Sequence, residues 1–168
     1  EYELAGGYGL WVVRNFVNLL DRAQMNGFES ELPKNMVARM EKMFDYALAS
    51  AMPNGKIPGL NDSSNADVTE LLKHGHNLFS HREDFLYVAS GREEGKVPTF
   101  TSVGLPWSGH YVMRSGWAAD DVFMLVDSGP YGSAHQHEDK LHFVLHAYGK
   151  QLMLDPGNFS YDASRWRQ

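Results

Sequence analysis

The chain has 168 residues, of which 43% are hydrophobic and 21% charged, as in ordinary globular proteins. It contains no cysteine, which excludes disulfides and thiolate metal sites, and its formal net charge of −6 gives no general basic surface for nucleic acid. No apolar run approaches the about 18 residues that a membrane-spanning helix requires, so no membrane span is expected.

Residues 1 to about 90 follow the helical period. The first predicted helix has its apolar stripe at Leu10, Val13, Val17 and Leu20 and ends at Asn26-Gly27.

Three further helices are predicted before residue 91. The second begins near Pro33 and stops at Pro53-Asn54-Gly55, and a turn-rich loop follows. Asp67 is a candidate cap for the third, and the short fourth spans residues 84–89 and is closed by Gly91.

The period changes to two after residues 91–108, which are predicted to be a linker. Strands are expected at 110–115, 122–127, 140–147 and 151–155. In the third of these strands, Leu141, Phe143, Leu145 and Ala147 are predicted to form the buried face, which leaves His142 and His146 partly exposed on the other. Helices followed by strands indicate an α+β chain with separate helical and β domains.

The segment from Gly129 to Lys140 contains His135 and His137, and Asp155 follows later in the chain. Histidine nitrogen and carboxylate oxygen are usual ligands of zinc, and histidine also moves protons near neutral pH. The cupin pattern would require Glu where Leu141 or His142 stands, and the metallo-β-lactamase motif would require His in place of Lys140. A metal site, a catalytic site, a combination of the two, and solvated loop histidines all remain open on the local sequence.

Five motifs in a fixed order carry a resemblance to a known family. They are Tyr111-Val-Met-Arg114-Ser-Gly-Trp117, Asp127-Ser-Gly-Pro130-Tyr-Gly, His135-Gln-His137-Glu-Asp139-Lys140-Leu, Tyr148-Gly-Lys-Gln-Leu-Met-Leu-Asp155-Pro-Gly and Ser160-Tyr161-Asp162. Together they resemble the C-terminal β-domain of the heparinase II/III-like polysaccharide lyases, which include heparin lyases and alginate lyases. More weakly, Glu3-Leu-Ala-Gly-Gly-Tyr8-Gly and Pro58-Gly-Leu-Asn61-Asp62-Ser63 resemble segments of the family's helical domain.

The resemblance implies part of an incomplete (α/α) toroid followed by a truncated antiparallel β-sandwich. We expect the toroid portion at 1–90, the linker at 91–108 and the N-terminal part of the sandwich at 109–168. The chain starts with Glu1 and stops at Gln168 without a turn or cap, so we expect it to be a fragment of a larger protein.

The implied activity is β-elimination on an acidic, uronate-containing polysaccharide. Tyr8 matches the family's catalytic tyrosine, and His135 matches the histidine that faces the substrate carboxylate. His137 and Asp155 match two ligands of a structural zinc, whose third ligand is expected beyond Gln168. The fragment by itself is expected to lack activity, and the resemblance implies a periplasmic or secreted protein. The absence of a clear Arg/Lys cluster favours a non-sulfated uronate.

Two alternatives and one geometric difficulty accompany this interpretation. A cupin-like or sandwich module that binds metal and carbohydrate without catalysis is the main alternative, and a metal-dependent hydrolase is the other. A tight hairpin at Tyr148-Gly149 would place Asp155 opposite His142 or Phe143, with His137 about 16 Å further along the strand. The pairing of His137 with Asp155 therefore requires the chain to bend between His137 and Lys140.

Overall fold

The computed structural model describes residues 5–132 and 135–158. The motif residues Glu3 and Ser160-Tyr161-Asp162 lie outside these ranges. The α-helices are α1 (Gly6–Asn26), α2 (Met36–Ser50), α3 (Thr69–Leu78) and α4 (Glu83–Ala89). The strands are β1 (Lys56–Ile57), β2 (Ala66–Asp67), β3 (Ser102–Leu105), β4 (His110–Arg114), β5 (Phe123–Asp127), β6 (His142–Ala147) and β7 (Lys150–Met153).

Helix α1 has the stripe that its sequence predicts. Leu10, Val13, Val17 and Leu20 are buried, and the helix ends where Gly27 adopts a left-handed conformation with φ 72°. At the other end Ala5 occupies the cap position, and its side chain makes no capping hydrogen bond. Among the described residues, none of the helices combines the length and hydrophobicity that crossing a membrane requires.

Helices α2 and α3 begin later than the sequence predicts. The Met36 N–H donates to the Pro33 carbonyl in a turn that precedes α2, so Pro33 lies before the helix. Asp67 belongs to β2, and its Oδ1 accepts hydrogen bonds from the backbone N–H and the hydroxyl of Thr69 at 2.9 and 2.5 Å. Asp67 therefore closes the start of α3 from two residues away rather than from the cap position.

The second half of the chain forms a five-stranded antiparallel sheet in the order β3-β4-β5-β6-β7. Strand β3 lies within the segment predicted as a linker, and Val103 pairs with Val112 of β4. Its four residues include a serine and a glycine, which give little strand signal in the sequence.

The predicted buried face of the third predicted strand is wrong at Leu141 and Phe143, whereas Ala147 is buried as predicted. Val144 and His146 are buried at 0% and 2% exposure, whereas Leu141 is 74% exposed and Phe143 38%. The cause lies in the register, which places Val144 beside Leu125, and these two residues pack in one core with Met52 and Leu60 from the helical half. The opposite face of the sheet is apolar but exposed, with Tyr111, Met113 and Phe143 among its side chains.

Arg114 joins the sheet to the helices. Its Nη2 donates to the carbonyls of Ala49 and Ala51 at 2.7 and 3.2 Å, and its guanidinium lies 3.6 Å from the ring centre of Trp117. Burial lowers the pKa of Arg114 to about 9, which still leaves the guanidinium protonated at neutral pH. Arg114 is thus a buried contact between the two halves and does not face solvent.

Candidate active site and metal centre

The loop that carries Asn61 and Asp62 holds the segment with His135 and His137 next to the turn with Asp155. The Asn61 N–H donates to Oδ2 of Asp155 at 2.7 Å, and Asn61 Oδ1 accepts from the His137 N–H at 2.9 Å. The Asp62 N–H donates to the His135 carbonyl at 3.1 Å. Asn61 has φ 57°, a left-handed conformation that asparagine tolerates better than most residues. The loop fixes both histidines through backbone hydrogen bonds.

Tyr8 and His135 come together although they belong to different halves of the chain. Tyr8 lies in the first turn of α1, and its ring stacks on the His135 imidazole with centres 4.6 Å apart and planes at 29°. Nδ1 of His135 lies 3.3 Å from Oδ2 of Asp62. Because a carboxylate only accepts hydrogen bonds, this contact places the proton of a neutral His135 on Nδ1 and the acceptor lone pair on Nε2.

His137 and Asp155 are in contact, so the chain does make the bend that their pairing requires. Nδ1 of His137 lies 3.2 Å from Oδ1 of Asp155. The bend lies before β6, where Leu141 has φ 69° and the His142 N–H donates to the Asp139 carbonyl.

Asp139 completes a group of three possible ligands. One ligand atom from each of His137, Asp139 and Asp155 lies within 4.8 Å of the others. One imidazole and two carboxylates suit a borderline divalent cation such as zinc. The Asp155 carboxylate is held by the N–H groups of Asn61 and Gly157, so one ligand is already in a fixed orientation.

Asp62 and Asp139 belong to the site, although the sequence motifs did not predict it. Asp139 was visible as the last residue of the His-x-His-x-Asp run, but its distance from Asp155 along the chain hid their proximity. Asp62 stands within the Asn61-Asp62 segment of a loop, and no local pattern connects it with His135.

A cavity of about 280 Å³ opens beside Tyr8. Trp11, Arg14 and Asp62 line it together with Tyr8 and residues 63–66. A larger cavity of about 360 Å³ lies between the helices and the β3–β4 turn, but none of the four candidate site residues lines it. The smaller cavity is therefore the candidate substrate cleft, because Tyr8 lines it and the Tyr8 ring stacks on His135.

Comparison with known proteins gives matches across nearly the whole chain. The family model for the heparinase II/III N-terminus matches residues 1–87, and the model for the heparinase II/III-like C-terminal region matches residues 98–168. A heparin-sulfate lyase from Bacteroides stercoris is 30% identical over 164 residues, which cover 96% of this chain and 25% of the relative. A heparin-sulfate lyase from Pedobacter heparinus is 26% identical with the same coverage.

Solved structures give the same result. The heparinase III-BT4657 gene product superimposes with a TM-score of 0.88 at 30% identity, over 98% of this chain and 26% of that one. Heparan sulfate lyase HepC from Pedobacter heparinus gives a TM-score of 0.89 at 25% identity, over 99% of this chain and 26% of that one.

The chain spans about a quarter of the length of these relatives. The match to heparinase structures confirms the predicted fold class, in which helices of an (α/α) toroid precede an antiparallel β-sandwich sheet. Two family models that together match residues 1–87 and 98–168 show that the chain belongs to the heparinase II/III family.

Proposed function

We propose that the protein containing this chain is a polysaccharide lyase that cleaves uronate-containing glycans by β-elimination. The observation that carries the proposal is the stacking of Tyr8 on His135, with Asp62 behind the histidine. The matched relatives named as heparin-sulfate lyases support the same reaction class. The proposed substrate is a uronate-containing polymer, with heparan sulfate and alginate as the alternatives.

The reaction needs two proton transfers and one neutralised carboxylate. A base removes the proton on C5 of the uronate, the C4–O4 bond breaks, a C4–C5 double bond forms and an acid protonates the departing O4. The C5 proton becomes acidic only when donors stabilise the negative charge that develops on the adjacent carboxylate.

Tyr8 and His135 are placed to share these tasks. We assign Tyr8 as the acid and base, because its phenol lies at the open cavity beside the histidine. His135 is assigned to the substrate carboxylate. Asp62 holds its Nδ1, so the imidazole keeps one orientation while the substrate is bound.

We assign His137 and Asp155 as ligands of a structural zinc, and Asp139 as an additional candidate. A histidine beyond Gln168, which the family resemblance implies, remains part of this proposal. When bound, the ion would supply a crosslink between the His137 segment and the Asp155 turn. That crosslink would fix the position of His135, two residues before His137. A periplasmic or secreted location is likewise proposed from the family resemblance.

The test uses the full-length enzyme with heparan sulfate, alginate and hyaluronan as separate substrates. We expect a rise in ultraviolet absorbance from the conjugated unsaturated product on at least one polymer, and its loss in Tyr8→Phe. Circular dichroism of the variant serves as the control for folding. Absence of the unsaturated product on all three polymers would instead favour the non-catalytic module that binds metal and carbohydrate. Full activity in Tyr8→Phe would remove the role given to Tyr8.

A further inference from the structure

Trp11 lies one helical turn after Tyr8 and lines the same cavity. Its side chain is 67% exposed and meets the Tyr8 ring edge-on, with ring centres 6.4 Å apart and planes at 60°. Arg14, also exposed, lines the cavity on the next turn. An indole and a guanidinium thus extend the candidate cleft away from Tyr8 along α1.

The position of Trp11 on the helix separates it from the other exposed apolar residues of α1. At 100° per residue, Val12 and Phe16 lie on one side of Tyr8, and Trp11 and Arg14 lie on the other. The side of α1 that carries Trp11 faces residues 63–66, which line the same cavity. The start of α1 is joined to this loop by a hydrogen bond of 3.1 Å from the Gly7 N–H to Oγ of Ser63. Trp11 therefore borders a groove between helix and loop, whereas Val12 and Phe16 form part of a separate apolar stripe.

Arg14 is the cation among the residues that line this groove, and it can donate to an anionic ligand. Of the two carboxylates nearby, Asp62 contacts His135 and His137, and Asp67 accepts two hydrogen bonds from Thr69. The hydrogen bond from the Thr69 side chain is the largest cause that lowers the pKa of Asp67, and the charges of Lys56 and Arg14 contribute in the same direction.

Sugar recognition needs the two chemistries that the groove presents. The C–H face of a pyranose ring packs on the flat indole surface, and a carboxylate or sulfate accepts paired hydrogen bonds from a guanidinium. An arginine gives this geometry better than a lysine, because its donors lie in one plane.

We propose that Trp11 and Arg14 form a binding subsite for the sugar next to the uronate that is cleaved at Tyr8. Trp11 stacks on the ring of that sugar, and Arg14 binds its anionic group. The inference rests on the proposed lyase function and adds the position and charge of a second sugar to it. It predicts that the neighbouring sugar carries a carboxylate, as in alginate, or a sulfate, as in heparan sulfate.

The experiment measures kcat and KM of the full-length enzyme on the polymer that it cleaves. Trp11→Ala and Arg14→Gln should each raise KM about tenfold with kcat within about twofold, because the lost contacts act equally on substrate and transition state. Trp11→Phe should recover most of the affinity, since it keeps an aromatic surface. Thermal melting of each variant reports any loss of folding.

Matched controls are available on the same chain. Trp107→Ala removes another exposed tryptophan, 97% exposed and outside this cavity, and Arg22→Gln removes an exposed arginine two turns further along α1. Both controls should leave KM unchanged. An unchanged KM in Trp11→Ala, or an equal rise in the controls, would overturn the subsite.

The substrate series separates the two sources of negative charge. If heparan sulfate is cleaved, completely desulfated and N-acetylated substrate should abolish the effect of Arg14→Gln when sulfate is the group bound. If alginate is cleaved, the carboxylate of the adjacent uronate is that group. Preference for hyaluronan, whose neighbouring sugar is uncharged, would overturn the role of Arg14.

Failure of the lyase proposal is distinguishable from failure of the subsite. If the wild-type protein gives no unsaturated product, the lyase assignment fails, and titration calorimetry with uronate oligosaccharides then tests the subsite directly. Trp11→Ala and Arg14→Gln should weaken that binding about tenfold. Equal affinities in wild-type and variants would contradict it.

Discussion

Asp62 is the residue through which the two parts of the site meet. One of its carboxylate oxygens lies 3.3 Å from Nδ1 of His135, and the other lies 3.5 Å from Nε2 of His137. The side chain of Asp62 therefore contacts both the proposed catalytic histidine, His135, and the proposed metal ligand, His137. Residues that orient ligands and catalytic groups in this way are often as sensitive to substitution as the groups themselves.

Replacing this carboxylate should reduce turnover without removing Tyr8 or His135. We expect Asp62→Ala to lower kcat of the full-length enzyme about 10- to 100-fold, because His135 loses the acceptor that fixes its orientation. Steady-state kinetics on the cleaved polymer measure this effect, and Asp120→Ala, an exposed aspartate, is the control. Wild-type kcat in Asp62→Ala would show that His135 is oriented by other contacts.

The metal assignment predicts which substitutions reduce zinc binding. We expect His137→Gln and Asp155→Asn to reduce the zinc content of full-length protein, measured by inductively coupled plasma mass spectrometry after dialysis. Each substitution removes or weakens one metal ligand of the group formed by His137, Asp139 and Asp155. His142→Gln should retain the wild-type content, and its loss of zinc would contradict the assignment.

Three separate elements converge on the 58–65 loop. The start of α1 reaches it through the Gly7–Ser63 hydrogen bond, and the segment before β6 reaches it through His137. The turn after β7 reaches it at Gly157, whose φ is 67° and whose Cα faces the carbonyl of Ser63. A side chain at Gly157 would meet that carbonyl oxygen, so close backbone approach requires glycine here.

Gly157 therefore gives a prediction about stability with a matched control. Gly157→Ala should lower the free energy of unfolding of the full-length protein by about 1–3 kcal/mol, because it adds a collision to an unfavourable left-handed backbone. Gly149→Ala has a similar φ of 69° but no atom within 4 Å of the added Cβ. Its cost should be smaller, about 1 kcal/mol, and urea denaturation measures both. Equal losses would show that the Ser63 contact carries no penalty.

At the scale of the molecule, the helical half and the sheet share a buried boundary. Met52 and Leu60 pack with the sheet residues Val112, Phe123, Leu125 and Val144. His110 and His146 are also buried on the sheet, at 1% and 2% exposure. Burial lowers the pKa of both histidines from the ordinary 6.5; for His110, the charge of Asp127 opposes the shift and that of Lys140 adds to it.

These two histidines predict a loss of stability in acid. Below about pH 6.5 these histidines bind protons in the unfolded chain but stay neutral in the folded chain. The free energy of unfolding therefore falls as the pH decreases from the pKa of the unfolded chain to the lowered pKa of the folded chain. Above pH 6.5 both states are neutral at these sites and this contribution is constant. Melting temperature of the full-length protein from pH 7.5 to 5 measures the trend.

A variant isolates the contribution of His146. His146→Leu should make the decline between pH 6.5 and 5 shallower, because leucine has no proton to bind in either state. The control is His74→Leu, because the side chain of His74 is partly exposed and lies near Asp21. An unchanged slope in His146→Leu would mean that His146 is not a source of the acid sensitivity.

Much of the fold could be predicted from local sequence patterns, and the errors of that prediction have local causes. Helix α1 and the strands β4 and β5 follow the periods of their apolar residues closely. Strand β3 was missed because Ser102 and Gly104 weaken its alternation. The buried face of β6 was misassigned because Phe143 and Leu145 make one face look hydrophobic, whereas the face that is buried at Val144 carries two histidines, His142 and His146.

The candidate site was predicted in part. Motif order led to Tyr8, His135, His137 and Asp155, and the structure brings these four residues together in two contacts. Asp62 and Asp139 become site residues only in the tertiary structure, since no local sequence pattern connects either of them with its partner. The roles of all six residues remain predictions for the experiments above.

By itself the sequence determined the change from helical to strand period, the absence of thiolate chemistry and the ordered motifs that identify the family. The tertiary structure decided which face of β6 is buried, and that Asp62 lies between the two histidines. The physical reason is separation along the chain, because Asn61 and Asp155 are hydrogen-bonded across 94 positions and Asp62 and His135 across 73. Only the packing of the sheet against the helices brings such residues together.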